Sequence, residues 1–239
     1  MRLILITNDD GIDSSGLLRL SRAARALGQV WVVAPAHQRS AASHSITLDR
    51  PIDVHPCPFP VEGVRAFACS GTPGDCVRVG CLSILPRKPD LVLSGINYGY
   101  NAASDLQYSA TAGAALEAAF QGVPGIALSE CACERHEVTD AFLDEVLERL
   151  AELPPPPGCI WNVNFPGCAL KDCRGILEGR TVSGETFYRD HYEDIAALPG
   201  GGRRLMVKGV PQTSTREEGT DFRAILDGYV SIGAVRNLS

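Results

Sequence analysis

Apolar residues in this chain come in short unbroken runs. Leu3–Thr7, Val30–Ala34, Leu91–Asn97, Gly125–Leu128 and Cys159–Asn164 are each bounded by polar, glycine or proline residues. Runs of that length without strict alternation predict strands covered on both faces. Between them the period changes. Leu17, Leu20, Ala24 and Leu27 share one helical face, with Ser14 or Ser15 as cap and Gly28 as stop. Thr72-Pro73 predicts a capped helix running toward Leu85. An alanine-rich helix is expected at about Ser109–Gln121 and an amphipathic one at Thr139–Leu150, with shorter strands at Ile52–His55 and Val64–Ala68.

Alternating strands and helices predict an α/β domain with a mainly parallel sheet. The four prolines Pro154–Pro157 read as a stiff linker before the last run. Beyond Gly167 the pattern weakens and Gly, Arg and Thr become frequent. There Thr181–Tyr188 and Arg204–Val210 are expected to pair as a hairpin across Gly200–Gly202. No internal repeat is visible. The expected organisation is one domain, with an α/β core at 1–167 and a C-terminal hairpin and oligomerisation region at 168–239.

Composition narrows the function classes. The chain has 239 residues, a formal net charge of −6 and no Lys/Arg cluster, which argues against a nucleic-acid footprint. No apolar run approaches the roughly 18 residues of a membrane span. The amino terminus enters strand-like sequence with no basic n-region or cleavage site, so a cytoplasmic chain is expected. Nine scattered cysteines, an odd number, favour free thiols over a disulfide framework. Cys131, Cys133 and His136 in CACERH form half of a metal pattern without a second half, so a plain loop is the expectation.

Asp9 and Asp10 stand side by side where the first strand ends. Open α/β sheets bind ligands beyond the carboxyl ends of their strands. Two carboxylates there need a shared proton, an arginine or a metal ion, unless one caps the next helix and the other faces water. A hard cation such as Mg²⁺ or Mn²⁺ suits the oxygens. A second strand end, LVLSGINYGYN, offers Asn97 and Asn101. A third, APAHQRSAASHSIT, offers Ser40 and Ser43, with Arg39 or His44 as positive charge. Ser109 and Thr111 open the alanine-rich helix, where hydroxyls and free N–H groups suit an anion or serve as plain caps. Neither GxxxxGK[ST] nor a GxGxxG after strand one is present.

In order along the chain, ITNDDGI, VVAP, a serine-rich loop ending SIT, SGTPGDCV, PDLVLSGINYGYN, YSAT, NVNFP and GTDFRAILDGYVSI resemble the stationary-phase survival protein SurE family. The resemblance covers nearly the whole chain. It implies a Rossmann-like three-layer domain with an extended C-terminal β-hairpin that builds homodimers or homotetramers. It further implies a metal-dependent 5′-nucleotidase, a phosphoric monoester hydrolase, acting on nucleoside 5′- and in some members 3′-monophosphates. By position it places one divalent ion, Mg²⁺ or Mn²⁺, on Asp9, Asp10, Ser40 and Asn97, with Asp9 or Asp10 as the catalytic carboxylate. Asn101, Ser109 and Thr111 fall on its phosphate side, and Asn8 is a further candidate there. The chain departs from the family where Ala103 and Ala110 replace the usual glycines, and where the ending GAVRNLS replaces TPL. These two alanines motivate an alternative, a non-catalytic nucleotide-binding protein on the same fold.

Overall fold

The computed structural model describes residues 1–236; the last residues of the GAVRNLS ending, 237–239, lie outside them. The apolar runs become the centre of one sheet. β1 (Arg2–Thr7), β2 (Gly28–Pro35), β5 (Leu91–Tyr98), β6 (Gly125–Glu130) and β7 (Ile160–Phe165) pair in parallel. β3 (Val54–Cys57) and β4 (Arg65–Cys69) extend one edge, and β8 (Ile176–Leu177) and β11 (Val230–Val235) the other. The order of this nine-stranded sheet is β3-β4-β2-β1-β5-β6-β7-β11-β8. Only the β3/β4 and β7/β11 pairs in it are antiparallel.

Helices cover both faces. α1 (Ser15–Ala24) and α4 (Glu137–Glu152) pack Leu17, Leu20, Leu143 and Leu147 on Ile4, Ile6, Leu93 and Leu128. α2 (Pro73–Val79) and α3 (Ala110–Phe120) cover Leu5, Val33 and Val92 on the other face. Ser14 caps α1, and Thr72 and Asp75 close a capping box on α2. A π-helical turn at Gly80–Ile84 continues α2 to Leu85, the expected end. The chain builds leftward from β1 through β2, then rightward through β5. That reversal puts a topological switch point between β1 and β5, where such sheets open a crevice.

The C-terminal region corrects one expectation. The hairpin is β9 (Tyr188–Leu198) against β10 (Gly202–Pro211), not Thr181–Tyr188 against Arg204–Val210. YRDHYEDIAAL shows no strand pattern because the ribbon has no buried face to write one; every residue of it after Tyr188 is exposed. After the hairpin, α5 (Asp221–Leu226) returns the chain to the main sheet, where β11 lies beside β7. Residues 168–236 therefore supply two strands of the core sheet as well as the projecting ribbon. All nine cysteines are free thiols.

Candidate active site

Three carboxyl-terminal strand ends meet at the switch point. Directly after β1, Asn8 is fully buried and its amide closes the turn into α1. Nδ2 donates to the Gly11 carbonyl (3.0 Å) and the Ser14 hydroxyl (2.7 Å), and Oδ1 accepts from Gly11 N–H (3.2 Å). Asn8 therefore shapes the turn and is not on the wall of the cleft described below. Asp9 is 4% exposed. Its Oδ1 accepts from the Thr111 hydroxyl at 2.7 Å, and its carbonyl accepts from Arg39 N–H at 2.7 Å. Asp10, half-buried, accepts from Tyr98 N–H at 3.2 Å. The first carboxylate is thereby tied to α3 and the second to β5.

No arginine, lysine or histidine pairs with either acid among the described residues. Arg39, the candidate counter-charge, spends its guanidinium on the Ser70 carbonyl at 2.9 Å. The result is electrostatic tension. Burial pushes the Asp9 carboxyl up to about 6, the adjacent Asp10 charge adds to the rise, and the Thr111 hydrogen bond opposes it. Burial also raises Asp10, with Tyr98 N–H opposing.

Asn97 is the penultimate residue of β5, just past an irregularity. Pairing with β6 shifts between Ser94 and Asn97, and the Gly95–Ile96 peptide is cis. Gly95 sits at φ 140°, and a side chain there would run into the Leu128 carbonyl. The shift lets Asn97 reach the cleft while its Nδ2 donates to the Gly99 carbonyl at 2.7 Å. Its Oδ1 has no protein donor among the described residues. Asn101 is fixed by the two asparagines of NVNFP. Asn162 and Asn164 donate to its carbonyl (2.9 and 3.0 Å), and Asn164 Oδ1 accepts from its N–H (2.9 Å). The Asn101 side chain donates to Ser129 at 2.8 Å.

Asp9, Ser40, Asn97, Asn101 and Ser109 line one open cleft of about 310 Å³, walled by Tyr98, Tyr100, Tyr108 and Tyr188. Volume does not single it out, since a depression of about 470 Å³ beside Cys131 and Cys133 is larger. What distinguishes it is the convergence of oxygen donors. Asp10 stands beside it, joined to Tyr98. Thr111 is fully buried behind Asp9. Ser109 caps α3, its Oγ accepting from Ala112 N–H at 3.0 Å. Ala103 and Ala110 are fully buried and neither methyl lines the cleft wall. Ala103 holds the positive φ (55°) that a glycine would take, its methyl lying in a cluster with Tyr100, Phe187 and Phe222. Sequence reasoning missed Asp105, Tyr188 and Asp190 on the wall. The tyrosines of YGYN were a usable signal, whereas Tyr188 and Asp190 arrive with the hairpin and had none.

The donor set fits a hard divalent cation. It comprises two uncompensated carboxylates, a hydroxyl and a free amide oxygen, all oxygen and none soft. Among the described residues no group of three or more His, Cys, Asp or Glu is placed to hold a metal. A site here therefore depends on the neutral oxygens of Ser40 and Asn97.

Comparison with known proteins decides the lineage. The family described as survival protein SurE matches residues 4–188. The chain belongs to the SurE family. A relative named 5′-nucleotidase SurE from Gemmatimonas aurantiaca is 40% identical over 244 residues, covering 96% of this chain and 90% of that protein. One of the same name from Mesorhizobium japonicum is 38% identical, covering 96% and 91%. The crystal structure of the SurE protein from Aquifex aeolicus superposes with a TM-score of 0.81 at 33% identity, over 99% of this chain and 94% of that one. The SurE fold, with its parallel three-layer core and antiparallel hairpin, is the fold described above.

Proposed function

We propose that this SurE chain is a metal-dependent nucleotidase, a 5′-nucleotidase that hydrolyses nucleoside 5′-monophosphates, with 3′-monophosphates as second substrates. The observation that carries the reading is the Asp9–Asp10 pair, one buried and one half-buried and without a cationic partner among the described residues, at the switch point of the sheet. Its support from outside is the name shared by relatives at 35–40% identity.

Asp9, Asp10, Ser40 and Asn97 would hold one Mg²⁺ or Mn²⁺. When bound, the ion supplies Lewis acidity toward phosphoryl oxygens and lowers the pKa of water. The residues of the chain do the rest. Thr111 holds Asp9 Oδ1, leaving Oδ2 for the site. Ser109 keeps its hydroxyl hydrogen, because its Oγ acts only as acceptor toward Ala112, and can donate it to a phosphate oxygen. The free N–H groups at the start of α3 face the same anion. Asn101 has a second amide hydrogen beyond the one given to Ser129. These donors are fixed before substrate arrives, the arrangement that stabilises charge as it moves in the transition state. The tyrosines on the wall offer faces for a base. The burial of Ala103 and Ala110 away from the cleft wall supports this reading over a non-catalytic binding protein.

We place the protein as one domain, 1–167 forming the core and 168–239 completing the sheet and carrying the hairpin, assembled as a homodimer or homotetramer. Nine free thiols fit a reducing compartment, the cytoplasm. No helix among the described residues is long and apolar enough to cross a membrane. Phosphate release from 5′- and 3′-nucleoside monophosphates, with Mn²⁺, Mg²⁺ or chelator, tests the reading. Metal-dependent release is expected, falling about 10²-fold or more in Asp10→Asn with the fold intact. Unchanged turnover in that variant would remove the site.

A further inference from the structure

Ser40 stands on no regular element. It belongs to the connection between β2 and β3, and two of its near neighbours hold backbone conformations that L-residues avoid: Ala41 at φ 58° and Ser43 at φ 52°. The Ser40 hydroxyl accepts from Gln38 Nε2 of the same loop (3.0 Å), so it is placed only as well as that loop is anchored. On the cleft side the anchors are Arg39 N–H to the Asp9 carbonyl (2.7 Å), Ser43 N–H to the Tyr108 carbonyl (3.1 Å) and Ser43 Oγ to the Gln107 carbonyl (2.7 Å).

The outer anchor is a buried charge. Glu117, on α3, is 2% exposed and is the one ionisable residue among the buried positions of that helix. Its Oε2 lies 2.9 Å from His44 Nε2, four residues beyond Ser40. Its Oε1 accepts from Arg78 Nη1 of α2 (3.1 Å) and from Gln121 Nε2 (2.7 Å). The His44 ring also rests on Phe120, with centroids 5.0 Å apart. Burying a carboxylate is costly without partners. Here it is surrounded by three donors and joins α2, α3 and the loop at one point. Glu117 does not touch the cleft. The helix that carries it also presents Thr111 to Asp9 and is capped by Ser109.

We propose that Glu117 is a positioning residue for the cation site. By holding His44 it fixes the loop that presents the Ser40 hydroxyl toward the space facing Asp9 and Asn97. α3 then sets two ligands at once, Asp9 through Thr111 near its start and Ser40 through Glu117 near its end. The inference rests on the reading that Ser40 is one of the oxygen ligands.

Mn²⁺ titration by calorimetry, with no substrate, tests it on wild type, Glu117→Gln, Ser40→Ala and the double variant. Glu117→Gln keeps the volume and leaves one oxygen for three donors. It is expected to weaken Mn²⁺ binding about tenfold, the usual size for a group that orients a ligand. In the Ser40→Ala background the same change is expected to add less than about twofold, because the hydroxyl it positions is gone. His44→Leu releases the loop while leaving Glu117 with Arg78 and Gln121. It covers the case in which Glu117→Gln fails to fold, and should show the same coupling. A purely structural role would lower the melting temperature without that dependence on Ser40. Wild-type affinity in both folded variants, or a full effect that persists without Ser40, overturns the proposal. Wild type that binds Mn²⁺ no better than Asp10→Asn overturns the cation site itself, and the positioning role with it.

Discussion

Asp9 is buried as an anion with another anion beside it, and the metal-free fold bears the cost. Its carboxyl stands at about 6 rather than near 3.8. A raised carboxyl pKa means that the native state holds a proton the unfolded chain has already lost between those two values. Stability therefore declines as pH rises through that window and stays lower above it. The shift corresponds to about 3 kcal/mol at most. Asp9→Asn keeps an oxygen for the Thr111 hydroxyl and removes the charge. In chelator at pH 7.5 it is expected to be more stable than wild type by about 1–3 kcal/mol, and the gain should vanish near pH 4, where wild-type Asp9 is protonated. Urea unfolding at the two pH values measures both numbers; a loss of stability at pH 7.5 would show that the charge is compensated within the fold. The same variant should lose phosphate release, the usual exchange between stability and function at a site.

At the scale of elements, α3 and the Ser40 loop are packed against each other, and Gly113 is a point of close approach. A Cβ on Gly113 would fall onto the Ser43 carbonyl, 2.8 Å from Ser43 C and 2.9 Å from His44 Cα. These are backbone atoms and cannot rotate away. Two effects oppose each other in Gly113→Ala. Helix propensity favours alanine by about 0.8–1 kcal/mol. Overpacking costs about 1–3 kcal/mol and displaces the loop. Because the contacted atoms are backbone the clash outweighs the propensity gain, so a net loss of up to about 2 kcal/mol in urea unfolding and a fall in phosphate release are expected; a gain in stability would mean that the loop yields freely. None of this contact was legible from the chain alone. The strands β1, β2, β5, β6 and β7 were, because burial on both faces writes unbroken apolar runs. Asp9, Asp10 and Asn97 were legible because strand ends bring polar residues together at a known place. Ser40 was only one of several hydroxyls, and the part Asn8 plays in closing the turn into α1 was not legible, because a turn and a ligand ask for the same amide. His44 and Glu117 lie 73 residues apart, and nothing local in either segment announces their pairing.

At the scale of the molecule, the ribbon of β9 and β10 has no core of its own. Tyr192 and Val207 pair opposite each other at 67% and 49% exposure. Val210 and Met206 are open on the other face, at 57% and 47%. A two-stranded ribbon in water is marginal by itself, and an exposed apolar strand surface is normally covered. The base of the ribbon is held differently, with Asp105 accepting from Tyr188 N–H at 2.8 Å and the Phe187 ring packed at a tilt on Phe222. The tip is thus separable from the base, and the register says where. His191 lies opposite Lys208, so removing Tyr192–Val207 and joining these two through Gly-Gly leaves a shorter hairpin with a two-residue turn. Tyr188 and Asp190 stay in the cleft wall. If the ribbon is the assembly element, the full chain should run in light scattering at two or four times its 25.5 kDa, and the shortened chain at the mass of one. The shortened chain should still unfold cooperatively, since β11 and β8 keep the core sheet complete. An unchanged multiple after the deletion would move the interface from the ribbon to the α/β core.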